Sequence, residues 1–367
     1  MSLSIGIVGL PNVGKSTLFN ALLRSSQALA ANYPFATIEP NVGIASVPDE
    51  RLARLAPIVH TSVIKPVTIE FVDIAGLVRG ASQGEGLGNK FLSHIKATSA
   101  IAHVLRVFAN PDIIRDTPVD PVEDLAAVRT ELQLSDLEII GRQVPPKGSV
   151  TPAAKQRWTL IQQFQKTLEN DQNISVCIQN LSDEERGAAQ ALAQELNLLT
   201  HKKEIFVLNV DEADLARAEA VASEWAEKLG VDKKQTVVVS AAVEAELAQL
   251  EEAEQQAFLA EMGVRESGLE RLARVAYETL GLQSFLTAGE LEVRAWTIKR
   301  GTSTVNAAGV IHTDFVKQFI KAKVVDFQDF VDLGGWKAAG EAGKIRLEGR
   351  DYVMREGDVV EFVLGGK

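Results

Sequence analysis

A glycine-framed loop near the first residue limits the folds open to this chain more than any other feature. The loop reads Gly9-Leu10-Pro11-Asn12-Val13-Gly14-Lys15-Ser16-Thr17. It follows an apolar run, Ile5 to Val8, and precedes a segment with helical periodicity. Strand, loop and helix in this order form the context that a phosphate-binding loop requires. An ordinary glycine-rich turn is the alternative, but here every fixed position of the phosphate-binding pattern is filled.

The residue types in this loop suit the chemistry of a nucleoside triphosphate. Gly9 and Gly14 permit close backbone approach, so successive N–H groups can converge on phosphate oxygens at the positive end of a helix. Lys15 supplies a cation for the phosphates, and the Ser16 hydroxyl is expected to ligate Mg²⁺. The predicted phosphate-side contacts are Gly9, Asn12, Val13, Gly14, Lys15, Ser16 and Thr17, with Lys15 also assigned a catalytic role.

Length and composition restrict the class of protein and its compartment. With 367 residues, the chain is long enough for two or three domains. No apolar run reaches the roughly 20 residues of a membrane span, and the first residues lack a signal peptide's basic and apolar segments. The lone Cys177 cannot form an intramolecular disulfide and fits a reducing compartment. We therefore expect a cytoplasmic, monomeric protein with no membrane partner.

Two segments after the loop have the spacing of nucleotide-dependent switches. Thr37 lies in a proline-containing segment about twenty residues on, where such switches place a threonine that contacts Mg²⁺ and the γ-phosphate. An apolar strand then ends in Asp73-Ile74-Ala75-Gly76. Asp73 is expected to hold Mg²⁺ through water, and the N–H of Gly76 to bind the γ-phosphate. The predicted metal ligands are Ser16, Thr37 and Asp73, and Thr37 and Gly76 join Lys15 as catalytic residues.

The residue after Gly76 raises a question about hydrolysis. Ras-type proteins carry a water-orienting glutamine there, whereas this chain has Leu77. Because leucine cannot position a water molecule, hydrolysis must use backbone groups, Mg²⁺, another side chain or a partner. His94 and His103 are expected to be structural, since nothing in the sequence connects either of them to the γ-phosphate.

A second pair of motifs concerns the base. Asn209-Val210-Asp211-Glu212 follows a buried strand, and Ser240-Ala241-Ala242 follows the next one. GTPases carry Asn-Lys-x-Asp at the first place, where the aspartate pairs two guanine donors and the lysine stem covers the base. Here Val210 replaces the lysine and Glu212 replaces the aspartate. This departure favours ATP over GTP, because a ligand that loses its polar pairings in a binding site binds much more weakly. A carbonyl or the Asn209 amide oxygen could accept the adenine amine. The predicted base-side contacts are Asn209, Val210, Glu212, Ser240, Ala241 and Ala242.

The alternating strand–helix pattern stops near residue 116 and resumes near residue 199. Apolar residues at helical spacing flank a Pro/Gly turn at 144–148, which predicts a helical hairpin. This hairpin is either a packed subdomain or a projecting arm that contacts a partner. The predicted domains are a P-loop domain at 1–115 and 199–283, an inserted helical or coiled-coil arm at 116–198, and a compact mixed domain with a curved sheet at 284–367.

Charge is unevenly distributed along the chain. The net charge is −11, yet residues 284–367 contain equal numbers of acidic and basic side chains. Because an acidic protein has no general attraction to nucleic acid, this segment is the less repulsive surface for a polyanion. We expect Lys299, Arg300, Lys321 and Lys323 to make any such contact.

Together these motifs resemble the YchF subfamily of Obg-related P-loop proteins, translation-factor-class ATPases found with ribosomes. The resemblance covers nearly the full length. The segments 285–290, 293–297 and 308–315 are similar to that family's TGS domain, a ubiquitin-like β-grasp fold associated with RNA-binding proteins. The resemblance implies an α/β P-loop fold (a G domain), an adenine preference, a nonpolar residue at position 77 and an inserted helical arm at 116–198.

The resemblance also implies an activity. It indicates a Mg²⁺-dependent ATPase that forms ADP and phosphate, and that binds the ribosome, its large subunit or rRNA through the TGS domain and the arm. Asn12 matches an asparagine that ligates K⁺ in related proteins, with bracing of the loop as the alternative. Relatives often carry a histidine where this chain has Arg115. A conventional GTPase, or a nucleotide-stabilised RNA- or ribosome-binding module with negligible turnover, are the competing hypotheses.

Overall fold

The structure is a computed structural model that describes residues 4–32, 41–74, 87–110, 118–148 and 151–366. The chain divides into two compact units. The first contains Met1–Ala45 and Glu70–Val275, and the second contains Ser46–Ile69 and Ala276–Lys367. Within the described ranges, each helix is too short or too polar to cross a bilayer.

The first unit is built on a six-stranded sheet whose two central strands are buried along their whole length. Its strands are β1 Ser4–Val8, β2 Val42–Ser46, β4 Thr68–Asp73, β5 Ala100–Arg106, β6 Lys203–Asn209 and β7 Thr236–Val239, in the order β2-β4-β1-β5-β6-β7. The pairs β4–β1, β1–β5, β5–β6 and β6–β7 are parallel. Every residue of β1 and β5 is buried, as expected for a parallel sheet covered on both faces. The predicted α/β P-loop fold is confirmed.

Helices pack around this sheet, and the first of them starts directly after the phosphate-binding loop. Leu18 and Leu22 of that helix are fully buried, as its helical periodicity predicts. The helices outside the insert are α1 Lys15–Asn32, α3 Leu87–Ala97, α8 Ala218–Leu229, α9 Ala241–Leu247, α10 Glu252–Glu261 and α11 Gly268–Thr279. Two short 3₁₀ helices, Glu212–Arg217 and Lys233–Gln235, complete this part of the chain.

The insert between β5 and β6 contains four helices instead of the predicted two. They are α4 Pro121–Gly141, α5 Pro152–Glu169, α6 Ile174–Asn180 and α7 Asp183–Glu195. Asp120 and Thr151 cap the first two helices through side-chain oxygens, each just before a proline at the first helical position. After α5 the chain turns at Asp171, which has a left-handed φ of 56°. Of the two extra helices, α6 has only seven residues and α7 has Leu192 as its one large apolar residue, so neither shows a clear period. Both belong to one apolar core around Phe164.

The second unit contains another six-stranded sheet. Its strands are β3 Ile64–Lys65, β8 Leu282–Ala288, β9 Val293–Lys299, β10 Phe319–Val325, β11 Arg346–Glu348 and β12 Val359–Leu364, in the order β11-β10-β12-β8-β9-β3. Its helices are α2 Glu50–Leu55, α12 Thr304–Ile311, α13 Phe315–Gln318, α14 Phe327–Leu333 and α15 Trp336–Glu341. The β-grasp TGS assignment stays a prediction.

The helix α13 is short, because it ends at Gln318 and the chain enters β10 at Phe319. The reason is the period-2 burial of Ala322 and Val324, whose side chains join the apolar cluster under α12. The principal helix of this region begins earlier, at Thr304.

Residues 46–69 fall within the predicted P-loop domain range 1–115, but in the structure they belong to the second unit. Its strand β3 pairs in parallel with β9, placing Ile64 opposite Val293. Arg51 forms an ion pair of 2.7 Å with Glu356, and Leu52 of α2 is buried. These pairings span more than two hundred residues of sequence, so local periodicity gave no signal for them.

Candidate functional site

The predicted phosphate-binding loop connects β1 to α1, and two of its glycines are required by their surroundings. Gly14 has a φ of 89°, and a Cβ there would lie 2.1 Å from Nδ2 of Asn209. A Cβ on Gly9 would lie 2.8 Å from the carbonyl oxygen of Val104. Asn12 also has a left-handed backbone, with a φ of 63°. The loop is therefore held tightly against the carboxyl ends of β5 and β6.

The side-chain amide of Asn209 holds this loop in place through hydrogen bonds. Its Nδ2 donates to the carbonyl oxygen of Val13 at 2.9 Å, and its Oδ1 accepts from the N–H of Ala241 at 2.9 Å. The residue is 4% exposed. The sequence suggested the Asn209 amide oxygen as one acceptor for adenine; in the structure that oxygen is turned toward the first N–H of α9. Asn209 thus connects the phosphate loop to the Ser240-Ala241-Ala242 turn.

The phosphate end of the site, as we call it, is formed by the start of α1 and the end of β4. The ammonium of Lys15 contacts the carboxylate of Asp73, the last residue of β4. Ser16 and Thr17 are exposed in the first turn of α1. Backbone N–H groups at a helix start have no intrahelical partner and carry partial positive charge, so this end of the site favours an anion.

A cleft of about 760 Å³ runs from the phosphate loop to the base-side motifs. It contains all the predicted contacts of the phosphate loop and the base side except Gly9 and Val13, which are buried. The lining residues are Leu10, Pro11, Asn12, Gly14, Lys15, Ser16, Thr17, Phe108, Asn110, Asn209, Val210, Asp211, Glu212, Ser240, Ala241 and Ala242.

Sequence reasoning missed one wall of this cleft, formed by residues 107–110 after β5. The N–H groups of Val107 and Phe108 donate to the carbonyl oxygen of Asn209 at 2.8 and 3.1 Å. The N–H of Ala109 donates to Oδ2 of Asp211 at 3.1 Å. A signal was available, because ligands of α/β sheets bind beyond the carboxyl ends of the strands and this wall follows such an end.

On the base side, the two substituted positions have different environments. Val210 is 2% exposed and belongs to an apolar cluster with Leu208 and Val238. Its N–H donates to the carbonyl oxygen of Val239 at 2.9 Å. Glu212 is exposed at the start of a 3₁₀ helix. The short side chain at position 210 packs into the protein, while the carboxylate at position 212 is exposed beside the cleft.

Several predicted residues lie outside the described residues: Thr37, Gly76, Leu77 and Arg115. In the part of the chain that the structure describes, no group of three His, Cys, Asp or Glu side chains is arranged to hold a metal ion. Of the predicted metal ligands that are described, Ser16 lines the cleft, and Asp73 contacts the neighbouring Lys15.

The two histidines do not line the cleft. His94 is exposed on α3, and His103 is buried with its Nε2 at 3.0 Å from Oε1 of Glu204. Arg129 of the helical insert also pairs with Glu204, at 2.7 Å. Burial alone would raise the pKa of Glu204, but His103 and Arg129 outweigh it and lower this pKa to about 2. The group around Glu204 therefore fastens the insert to the sheet.

Comparisons with known proteins cover the whole chain. A family model described as "50S ribosome-binding GTPase" matches residues 4–140, and one named YchF-GTPase_C, described as a protein of unknown function, matches residues 282–364. The chain is 44% identical over 373 residues to "Ribosome-binding ATPase YchF" of Bacillus subtilis, and 45% identical over 369 residues to the protein of that name in Escherichia coli O157:H7. Each match covers 99% of both chains.

More distant relatives match at similar coverage. "Obg-like ATPase 1" of Rattus norvegicus is 39% identical, with 98% of this chain and 92% of the rat protein covered. Among solved structures, the YchF GTPase of Schizosaccharomyces pombe superposes with a TM-score of 0.85 at 35% identity, covering 99% of this chain and 98% of the yeast chain.

Proposed function

This chain belongs to the YchF family of P-loop nucleotide hydrolases, and on that premise we propose that it is a Mg²⁺-dependent ATPase switch that binds the ribosome. The reaction is hydrolysis of ATP to ADP and phosphate. Support comes from the bacterial relatives named as ribosome-binding ATPases and from the cleft, in which a phosphate end and a base end face one space.

The observation that carries the preference for ATP is the chemistry of positions 210 and 212. A buried valine offers no stem to cover a guanine, and it occupies the position where GTPases have lysine. A glutamate is one methylene longer than the aspartate that pairs with guanine's two donors. Adenine lacks both donors, so it loses nothing at this position, whereas guanine loses a bidentate pairing.

The phosphate end suits a bound Mg²⁺ by its donor chemistry. Mg²⁺ prefers oxygen ligands, and the Ser16 hydroxyl and Asp73 carboxylate are such donors. The contact between Asp73 and Lys15 places that carboxylate beside the phosphate loop. When bound, the ion would neutralise charge on the phosphate oxygens. Thr37 completes the proposed ligand set, and a K⁺ ion held through Asn12 is a further part of the proposal.

The chain's own residues have distinct tasks in this proposal. Lys15 and the N–H groups of the first turn of α1 bind the triphosphate and orient it. Asn209 keeps the loop in register with the base side through its two hydrogen bonds. Leu77 supplies no water-orienting group, so the attacking water is oriented by a backbone group, another side chain or the partner.

Competitive binding tests the base preference. We expect wild type to bind ATP more tightly than GTP, and Glu212→Asp to shift the ratio toward GTP, because the shorter carboxylate can retreat to guanine's donors. One bidentate base contact contributes about 1–3 kcal/mol by analogy with base readout. Position 212 is the better test, because a lysine at position 210 would have to enter the apolar cluster around Leu208. A wild-type preference for GTP would instead support a conventional GTPase.

Turnover is tested by multiple-turnover phosphate release, with and without ribosomes, on wild type and Lys15→Ala. The variant should stay folded and lose turnover, because Lys15 lines the cleft and is not part of the hydrophobic core. Wild type that binds ATP but releases no more phosphate than Lys15→Ala under either condition would indicate a nucleotide-stabilised binding module.

Ribosome binding is proposed to involve basic side chains of the second unit, with the helical insert as a second contact. Lys299 and Arg300 are exposed at the end of β9, whereas Lys323 already pairs with Glu361 at 3.0 Å. Reversing the charge of Lys299 and Arg300 together should weaken ribosome binding and flatten its salt dependence, because fewer counterions are released. Co-sedimentation at several salt concentrations measures this.

The matched control reverses two other exposed cations of the same unit, Lys337 and Arg355. It changes the net charge equally and should leave the salt dependence close to that of wild type. Equal losses in both double variants would show that only total charge matters, and that Lys299 and Arg300 are not a contact site.

A further inference from the structure

A buried guanidinium lies between the phosphate loop and the 107–110 wall. Arg106, the last residue of β5, is 2% exposed. Its Nη2 donates to the carbonyl oxygen of Asn110 at 2.9 Å, and its Nε donates to that of Phe108 at 3.4 Å. Its Nη1 points at the carbonyl oxygen of Asn12, 3.5 Å away. One side chain therefore contacts both the wall and the loop.

The same guanidinium also packs against an aromatic ring. Its Cζ lies 4.4 Å from the centroid of the Phe108 ring. A planar guanidinium can stack on a ring and donate in several fixed directions at once, which the ammonium of a lysine cannot do. Its neighbours Phe108, Asn110 and Asn12 line the cleft, whereas Arg106 does not. Any effect of Arg106 on a bound molecule must pass through these neighbours.

We propose that Arg106 is a positioning residue that fixes the distance between the phosphate loop and the 107–110 wall, and so the place of the base relative to the phosphates. The inference rests on the proposed function, since it assigns a role within the same nucleotide site. Because the wall is held in place before binding, it loses less conformational entropy when a base packs against it. Phosphate binding depends on the loop and α1, and Arg106 contacts the loop at the backbone carbonyl of Asn12.

The test compares two ligands that differ only by the nucleoside. Dissociation constants of ATP and of inorganic tripolyphosphate are measured at fixed Mg²⁺ on wild type and Arg106→Lys. We expect ATP affinity to fall about tenfold, equivalent to about 1.4 kcal/mol, with tripolyphosphate affinity close to wild type. A loss of general stability would weaken both ligands together, so the ratio of the two constants separates positioning from folding.

Arg129→Lys provides a matched control. Arg129 is also a stacked arginine of this unit, with its Cζ 5.4 Å from the Phe206 ring and a 2.7 Å ion pair to Glu204. It does not line the cleft. The control should lower the melting temperature without changing the ratio of ATP to tripolyphosphate affinity.

A double-mutant cycle with Phe108→Leu tests whether Arg106 acts through the ring. The two losses in ATP affinity should be less than additive, because each removes one partner of the same contact. An unchanged ratio in Arg106→Lys, a parallel loss of both ligands, or an equal ratio change in Arg129→Lys would overturn the inference. Wild type that binds tripolyphosphate as tightly as ATP would instead contradict the proposed nucleotide site.

Discussion

At the scale of single residues, the space around Gly14 decides whether the phosphate loop can form. Gly14→Ala places a Cβ 2.1 Å from Nδ2 of Asn209, at a φ of 89° that disfavours any L side chain. We expect ATP binding to be lost, because either the loop or the Asn209 brace must move. Isothermal titration measures the binding, and circular dichroism shows whether the sheet is retained.

The control for this prediction is Gly148→Ala. Gly148 has a similar φ of 77°, but a Cβ there meets no atom of the described residues within 4 Å. The two substitutions therefore share only the backbone strain of a left-handed residue, which costs about 1 kcal/mol or slightly more. Unchanged ATP affinity in Gly148→Ala together with its loss in Gly14→Ala attributes the effect to the contact with Asn209. Equal behaviour of the two variants would refute that explanation.

At the scale of elements, a buried carboxyl group connects α9 to α11. Glu244 is 3% exposed, and its Oε1 accepts from the N–H of Gly268 at 2.7 Å. Burial raises the pKa of Glu244 from 4.5 to about 7, and the hydrogen bonds from the start of α11 reduce that rise only in part. The folded state therefore prefers the protonated carboxyl group.

The sign of the pH dependence follows from this raised pKa. The contribution of the neutral Glu244 carboxyl group to the free energy of unfolding is fully present below pH 4.5. It is lost as the pH rises through about 7. In wild type this group should reduce the free energy of unfolding by about 2–3 kcal/mol between pH 5 and pH 8, at about 1.36 kcal/mol for each pKa unit. Glu244→Gln keeps an acceptor for Gly268 and removes the titration. Urea unfolding measures the free energy of unfolding of both proteins across this pH range. If the free energies of the two proteins change in parallel with pH, the prediction is wrong.

At the scale of the whole molecule, the division into units does not follow the order of the chain. Residues 46–69 belong to the second unit, where α2 contacts β9 and α14 and buries Leu52 and Leu55. A chain that ends at Gly281 leaves these side chains without their partners. Each leucine contributes about 1.5–3 kcal/mol when buried, so this truncated chain should melt at a lower temperature and bind a hydrophobic dye.

A second truncated chain tests the cause. Replacing residues 48–66 with a short Gly/Ser turn removes α2 while joining positions that are already adjacent, since the N–H of Val47 donates to the carbonyl oxygen of Val67 at 2.8 Å. This version should melt higher and bind less dye than the simple truncation. If the two truncated chains behave alike, the exposed face of α2 is not the source of the instability. Deletion experiments on ribosome binding need this control.

Much of the fold and of the site could be predicted where the signal is local. The strand expected before Ser240 ends at Val239, and the loop before α1 lies between the expected strand and helix. The residues of the cleft wall at 107–110 carry no motif, because their role comes from Arg106 and Asn209 holding backbone groups in place. The helices α6 and α7 were missed because α6 is short and α7 has one large apolar residue, Leu192, so neither shows a period.

By itself, the sequence determined which chemistry to expect of this protein. It contains a phosphate-loop pattern, a base-side motif that departs from the guanine-reading pattern, and two segments with the spacing of nucleotide-dependent switches. These are encoded locally, because glycine conformations, a lysine after a tight loop and strand ends depend on residues within a few positions. Only the tertiary structure decided which distant groups meet. It placed Arg106 between Asn12 and Phe108, turned the Asn209 amide toward the loop and α9, and joined 46–69 to a sheet whose other strands begin at Leu282. Contacts of this kind arise when separate elements pack, and no periodicity within a single element records them.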